Sequence, residues 1–61
     1  MKNLRKYRKL AGLTQKQLGE KTNLTRSYIN SVEKGKYTPP PKTAKRISRV
    51  LNVHWTNLYE D

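Results

Sequence analysis

The hydrophobic residues of this chain form short clusters separated by glycine, asparagine and proline, a pattern that predicts several short helices. Over residues 2–11, apolar side chains recur at steps of three and four residues, and Gly12 follows as a stop signal. We therefore expect a first amphipathic helix. The residues predicted on its buried face are Leu4, Tyr7, Leu10 and Ala11.

Residues 13–35 carry the strongest local signals in the chain. Thr14 is predicted to cap the start of a second helix, and Gln17 stands at the position that closes a capping box with it. Leu13 and Leu18 occupy the two positions of a hydrophobic staple around the same start. A helix is therefore predicted to begin immediately after Thr14.

The same arrangement recurs eleven residues later, where Thr25 is the predicted N-cap. Leu24 and Ile29 take the staple positions, and Tyr28 replaces the glutamine that would close the box. The spacing leaves about two turns for the second helix and a link of roughly three residues. Those lengths are typical of a helix-turn-helix unit.

The link and the helix ends support a helix-turn-helix unit over residues 14–34. Asn23, in the link, enters the left-handed backbone region at little cost and can turn the chain. Gly19 lies inside the second helix, where glycine costs on the order of 1 kcal/mol relative to alanine. We expect this cost to be offset by close approach of the third helix, which ends before Gly35.

The third helix buries Ile29 and Val32 and leaves a hydrogen-bonding face outward. Arg26 can donate two hydrogen bonds to guanine O6 and N7, and Asn30 can pair with adenine N6 and N7. Two serines on this face are small enough for close approach and can contact bases or phosphates. The predicted base contacts are Arg26, Ser27, Asn30 and Ser31. The alternative is an ordinary polar helix surface.

Together with Arg8 upstream and a regular apolar pattern downstream, residues 13–35 resemble the Cro/phage-repressor-type helix-turn-helix family of transcriptional regulators. The resemblance covers roughly residues 4–59. The downstream positions that carry it are Pro39, Ala44, Ile47, Leu51, Val53, Leu58 and Tyr59. It implies a compact, all-α, five-helix domain similar to that of the λ repressor, with the second and third helices binding DNA. The chain departs from the family at two places. The family often has glycine where this chain has Asn23, and serine or asparagine near the position of the proline run, residues 39–41.

The resemblance also assigns roles to three polar residues. The family pairs the arginine that is Arg8 here with the glutamate that is Glu33, which ties the first helix to the end of the third. The sequence supports this pair because Glu33 is one of four acids in a basic chain and needs a cationic neighbour. The family's matching glutamine contacts the DNA backbone, and we expect the same of Gln15, although glutamine is also simply a good helix former.

Further backbone contacts are expected around the helix-turn-helix unit and in the basic loop that follows it. The residues concerned are Thr14, Lys16, Thr25, Tyr28, Lys36, Tyr37, Thr38 and Lys42. For any single cation a solvated basic surface is the alternative. The proline run after the loop is predicted to be a stiff extended linker, with Pro41 as the first residue of a fourth helix. Recognition of the run by an aromatic groove is the other interpretation.

The charge balance favours a polyanionic partner. Fourteen lysines and arginines stand against four acids, which gives a formal net charge of +10 in 61 residues. A small domain usually carries a net charge of about 2 to 8, so a basic surface kept only for solubility is the weaker explanation. The length allows one domain, over residues 1–61, with a small core.

Catalytic and metal-binding chemistry is not expected. The chain has no cysteine and one histidine, His54, which takes the N-cap position of a short last helix. We therefore expect no enzyme activity, cofactor or metal. No apolar run is long enough for a signal peptide or a membrane span. The expected location is the bacterial or phage-infected cytoplasm, in association with the nucleoid.

The function these features favour is sequence-specific binding of double-stranded DNA by a transcriptional regulator. We expect a repressor that acts as a weak homodimer on a near-palindromic operator. An antitoxin or adaptor that also binds DNA is the alternative, and it predicts an exposed apolar patch over residues 55–59. Non-specific or RNA binding is less favoured, because suitably spaced exposed aromatic platforms are missing from the sequence.

Overall fold

The computed structural model describes residues 1–59, with the side chain of Lys2 excluded, and every regular element in that range is helical. The elements are α1 (Lys2–Leu10), α2 (Gln15–Thr22), α3 (Arg26–Glu33), α4 (Pro41–Leu51) and a C-terminal 3₁₀-helix (Trp55–Tyr59). The predicted all-α class with a helix-turn-helix is confirmed. The fifth helix is present but has 3₁₀ geometry.

Both predicted helix starts are formed. The Gln17 backbone amide donates to Thr14 Oγ1 at 3.0 Å, and the Thr14 backbone amide donates to Gln17 Oε1 at 2.9 Å, which completes the capping box. At the start of α3, the Tyr28 amide donates to Thr25 Oγ1 at 3.0 Å. These bonds satisfy amide groups that have no partner within the helix. The two threonines therefore fix where α2 and α3 begin.

The turn between α2 and α3 depends on two unusual backbone positions. Asn23 has a φ of 58°, in the left-handed region that asparagine tolerates. A Cβ atom on Gly19 would lie only 2.7 Å from the carbonyl oxygen of Leu24. Because that neighbour is backbone, it has little freedom to move aside. Glycine thus allows the chain entering α3 to cross close to α2.

One apolar core joins all five helices. Its fully or nearly fully buried members are Leu4, Leu18, Ile29, Val32, Ala44, Ile47, Leu51 and Leu58. The expectation that Leu10 and Ala11 lie on the buried face of α1 is wrong, since Leu10 is 74% exposed and Ala11 is also exposed. The helix ends at Leu10, and the turn that follows brings Leu13 against the core instead.

The proline run does more than connect two helices. Pro41 is the first residue of α4 as predicted, whereas Pro39 is fully buried. The Tyr59 hydroxyl donates to the Pro39 carbonyl at 2.6 Å. Partial burial, followed by the nearby Tyr28 phenol, raises the pKa of Tyr59 above its ordinary value. A tyrosine hydroxyl is protonated at neutral pH even at its ordinary pKa, so it donates to Pro39 and ties the 3₁₀-helix to the linker.

Candidate nucleic-acid interface

The outer face of α3 is directed away from the core. Ile29 and Val32 are fully buried on its inner side. The four predicted base contacts lie on the other side, where Arg26 and Ser27 are exposed and Asn30 and Ser31 are half-buried. All four side chains are therefore accessible to solvent, and Asn30 and Ser31 are less exposed than Arg26 and Ser27.

The end of α3 is anchored by a nearly buried ion pair. Arg8 Nε donates to Glu33 Oε2 at 2.6 Å and Arg8 Nη2 to Glu33 Oε1 at 3.2 Å, while the two side chains are 10% and 5% exposed. A third bond runs from Arg8 Nη1 to the carbonyl of Leu13 at 2.8 Å. The pair expected from the sequence is formed, and it holds α1 and the chain entering α2 against α3.

Gln15 occupies a position that the sequence does not reveal. Its Nε2 atom lies 3.2 Å from Asn30 Oδ1 and 3.2 Å from Glu33 Oε1. The side chain is half-buried between the start of α2 and the middle of α3. Gln15 therefore links Arg8 and Glu33 to one of the predicted base contacts. The only signal for it is that Asn30 and Glu33 are three residues apart and so share a face of α3.

The start of α2 lies beside the start of α3. Thr14 and Lys16 are exposed there and Gln15 is half-buried. The residues lining the open cleft at this junction are Arg8, Leu13, Thr14, Gln15, Lys16 and Arg26. The structure thus brings three predicted backbone contacts next to Arg26, the first residue of α3. A ligand lying along α3 would meet both groups at once.

The loop after α3 packs against that helix through two aromatic rings. The rings of Tyr28 and Tyr37 stack with centroids 6.1 Å apart and planes 12° from parallel. Tyr37 remains 58% exposed, and the neighbouring Lys36 and Thr38 are exposed as well. The stack holds the basic loop beside the first half of α3. The predicted backbone contacts of the loop are therefore exposed and lie next to Tyr28 of α3.

Lys42 belongs to a different cluster. It lines a cleft on α4 together with Lys45, Arg46 and Arg49, all of them exposed. Arg46 Nη1 also donates to the Thr22 carbonyl at 3.3 Å, a bond between α4 and the end of α2 that the sequence does not indicate. The structure groups Lys42 with these cations rather than with the side chains that line the clefts beside α3.

Most of the lysine and arginine side chains that the structure describes have no acidic partner. Across residues 1–59, leaving aside the Lys2 side chain, Arg8 and Glu33 form the one ion pair. The same part of the chain holds no group of three side chains able to bind a metal ion, and none of its helices is long and apolar enough to cross a membrane. The exposed lysine and arginine side chains of this part of the chain can donate hydrogen bonds to anions.

Comparison with known proteins gives a consistent assignment. A family model described as helix-turn-helix matches residues 4–58. An uncharacterized HTH-type transcriptional regulator of Methanocaldococcus jannaschii is 42% identical over 64 residues, covering 100% of this chain and 97% of the relative. A second such regulator, from Methanothermobacter thermautotrophicus, is 46% identical over 48 residues, or 79% of this chain and 70% of the relative.

A phage protein is also similar. The immunity repressor protein of Bacillus phage phi105 is 42% identical over 53 residues, which cover 87% of this chain and 35% of that repressor. No solved structure gives a significant match to the chain. The matches to the family model and to these relatives confirm the resemblance to Cro and phage-repressor-type regulators that the sequence motifs indicate.

Proposed function

We propose, from the premise that this chain belongs to the helix-turn-helix family, that it recognises a specific sequence of double-stranded DNA by inserting α3 into the major groove. The observation that carries this proposal is the outward hydrogen-bonding face of α3, which buried Ile29 and Val32 orient. A major groove about 12 Å wide admits a helix, and its base edges form a code that such side chains read.

The family is one of non-enzymatic DNA-binding regulators, which agrees with the expectation that this chain is not an enzyme. We propose that it acts as a repressor whose occupancy of an operator excludes RNA polymerase. The name of the phage relative, an immunity repressor protein, supports repression rather than activation of transcription. Binding to a chromosome or phage genome would place the protein in the cytoplasm.

Two sets of side chains would hold the DNA backbone on either side of α3. One set lies at the helix starts and consists of Thr14, Gln15, Lys16 and Thr25. The other consists of Tyr28, Lys36, Tyr37 and Thr38, beside the stacked tyrosines. Phosphate contacts of this kind set the position and orientation of the protein on the duplex, whereas contacts to base edges set its sequence preference. Lys42 would add a contact further along the backbone.

A dimer is proposed because one α3 is too short to select a unique site. Its eight residues span about 12 Å, so it can contact only a few base pairs. Two copies related by a twofold axis would place their α3 helices about 34 Å apart, in successive major grooves. The operator would then be a near-palindrome.

Selection of bound duplexes from a random library tests this proposal. We expect the wild-type protein to enrich an inverted repeat whose half-sites are centred about one helical turn apart. The enriched duplex should bind on the order of 10³-fold more tightly than a scrambled one at the same salt concentration. Enrichment of no sequence would refute specific recognition, and enrichment of a single unrepeated half-site would refute the dimer.

The antitoxin or adaptor alternative gains no support from the C-terminal segment. Leu58 is buried in the core, and Trp55 is half-buried beneath Lys45, whose Nζ lies 5.1 Å from the centre of its ring. Tyr59 is 36% exposed but is tied to Pro39. The apolar side chains of this segment therefore serve the fold rather than forming an open patch for a protein partner.

A further inference from the structure

We infer that the exposed basic face of α4 binds the sugar–phosphate backbone of a second DNA segment while α3 holds the first. The residues of this face are Lys45, Arg46 and Arg49, and Lys42 lies one turn earlier on the same side. The inference rests on the proposed function, because it takes the first segment to be bound by α3. It goes beyond that function by assigning a separate site, independent of DNA sequence, that joins two segments.

The basic side chains of α4 form one continuous surface. They occur at steps of three and four residues, which places them on the same face of the helix, and all four are exposed. The opposite face is buried in the core through Ala44, Ile47 and Leu51. The cationic surface is about 10 Å long, the rise of seven residues in an α-helix.

This arrangement of charges is unfavourable for the helix by itself. Like charges four residues apart on a helix repel each other. The face contains two such pairs, Lys42 with Arg46 and Lys45 with Arg49. The first turn of α4 holds no acidic residue, so the positive end of the helix dipole adds to the repulsion. Within residues 1–59 no acidic side chain forms an ion pair with this face. An anionic ligand would relieve both effects.

The composition of the face fits a phosphate backbone. Its cleft is lined by lysine and arginine side chains alone. Such side chains bind phosphate oxygens through charge and hydrogen bonds, and they need no contact with a base edge. The core of a protein–protein interface is instead depleted of charged residues and enriched in aromatic ones. Trp55 lies beside this face but is half-buried beneath Lys45. The face therefore favours DNA over a protein partner.

The position of α4 separates this face from the outer face of α3. Helix α3 packs against α1 and α2, whereas α4 packs against α2 and the 3₁₀-helix. Arg46 Nη1 donates to the carbonyl of Thr22 at the end of α2. That end is about 10 Å along the helix from the start of α2, which lies beside Arg26.

The stiffness of DNA decides between one segment and two. A duplex lying along α3 would have to curve around a domain whose longest Cα dimension is 23 Å to cover the α4 face. The persistence length of DNA is about 150 base pairs, so such tight curvature is strongly opposed. A separate segment can lie against α4 without being bent. The geometry therefore favours a second segment.

A capture experiment tests the inference. The selected operator duplex is immobilised and saturated with protein, so that both α3 helices of a dimer are occupied, and retention of a labelled scrambled duplex is measured. We expect the wild type to retain it. The α4 variant, Lys45→Gln with Arg49→Gln, should retain roughly tenfold less because it loses two phosphate contacts. Lys42 is left unaltered, since it is assigned to the first segment.

Lys6→Gln with Lys9→Gln is the matched control. Both lysines are exposed on one side of α1, and Lys6 lies over the ring of Tyr7 as Lys45 lies over that of Trp55. The control removes the same charge and should retain the scrambled duplex as the wild type does. Both variants should bind the operator duplex with equal affinity. Thermal unfolding followed by circular dichroism checks that they are folded.

The inference would be overturned if the wild type retained no scrambled duplex, or if the α4 variant retained as much as the wild type. A larger loss of operator affinity in the α4 variant than in the control would place the face on the first segment. Displacement of the scrambled duplex by polyglutamate at a lower charge concentration than by free DNA would assign the face to an acidic protein. Either of these results also overturns it.

All of these results leave the sequence preference of α3 intact. A wild-type protein that enriches no sequence from a random library would instead refute the proposed function. The two failures are therefore distinguishable.

Discussion

Replacing Glu33 with alanine is expected to lower the free energy of unfolding by about 3–5 kcal/mol. The guanidinium of Arg8, a residue that is 8% exposed, would lose its carboxylate partner and remain in a poorly solvated position. A chain of this length has a stability of only about 3–9 kcal/mol, so most of it would be lost. Urea denaturation followed by circular dichroism measures the change.

A double variant separates the loss of the pair from the loss of one partner. Replacing both charges by apolar residues of similar volume, Arg8→Met with Glu33→Leu, leaves no buried charge and should recover most of the stability. Equal unfolding free energies for Glu33→Ala and the wild type would show that Arg8 does not depend on this carboxylate in solution.

Replacing Gly19 with valine is expected to cost about 3 kcal/mol, as an overpacked core position does. The valine Cβ would begin 2.7 Å from the Leu24 carbonyl oxygen, so the start of α3 must move away from α2. Gly19→Ala should lose less, because the strain from its Cβ is partly offset by about 1 kcal/mol of helix propensity. Urea denaturation of the wild type and both variants measures these differences in the free energy of unfolding.

Lys21→Ala is the control for this series, since it changes an exposed position of the same helix and should alter the stability by less than about 0.5 kcal/mol. The close approach of α3 to α2 would be contradicted if Gly19→Ala were more stable than the wild type by its full helix propensity.

Local signals in the sequence were sufficient for the helix-turn-helix unit. Thr14 and Thr25 cap the amide groups that follow them within three residues, and Asn23 needs only its own backbone conformation. Gly19 was predictable because its cost inside a helix calls for a compensating contact. The Arg8 and Glu33 pair followed from the family resemblance and from the scarcity of acids. The caps and the turn needed only local chemistry, whereas the pair between α1 and α3 needed the packing that the family resemblance implies.

Features that depend on tertiary packing could not be predicted from the sequence. Leu10 fits the apolar period of α1, but the helix ends there and Leu13 packs against the core in its place. Pro39 has the composition of a linker and becomes fully buried. The bonds of Gln15 to α3 arise from the crossing of two helices, which the spacing of Asn30 and Glu33 along α3 does not by itself determine.

The most direct test of base recognition by α3 is a competition measurement with a charge-matched variant carrying Arg26→Lys, Ser27→Ala, Asn30→Ala and Ser31→Ala. Affinities for the selected duplex and a scrambled duplex are compared at one salt concentration, with Lys36→Ala as the phosphate-contact control. We expect the variant's ratio of affinities to fall to about 1 while its affinity for scrambled DNA is retained, because phosphate contacts carry non-specific binding. Lys36→Ala should weaken both duplexes equally. A variant that still prefers the selected duplex as strongly as the wild type would contradict recognition through this face.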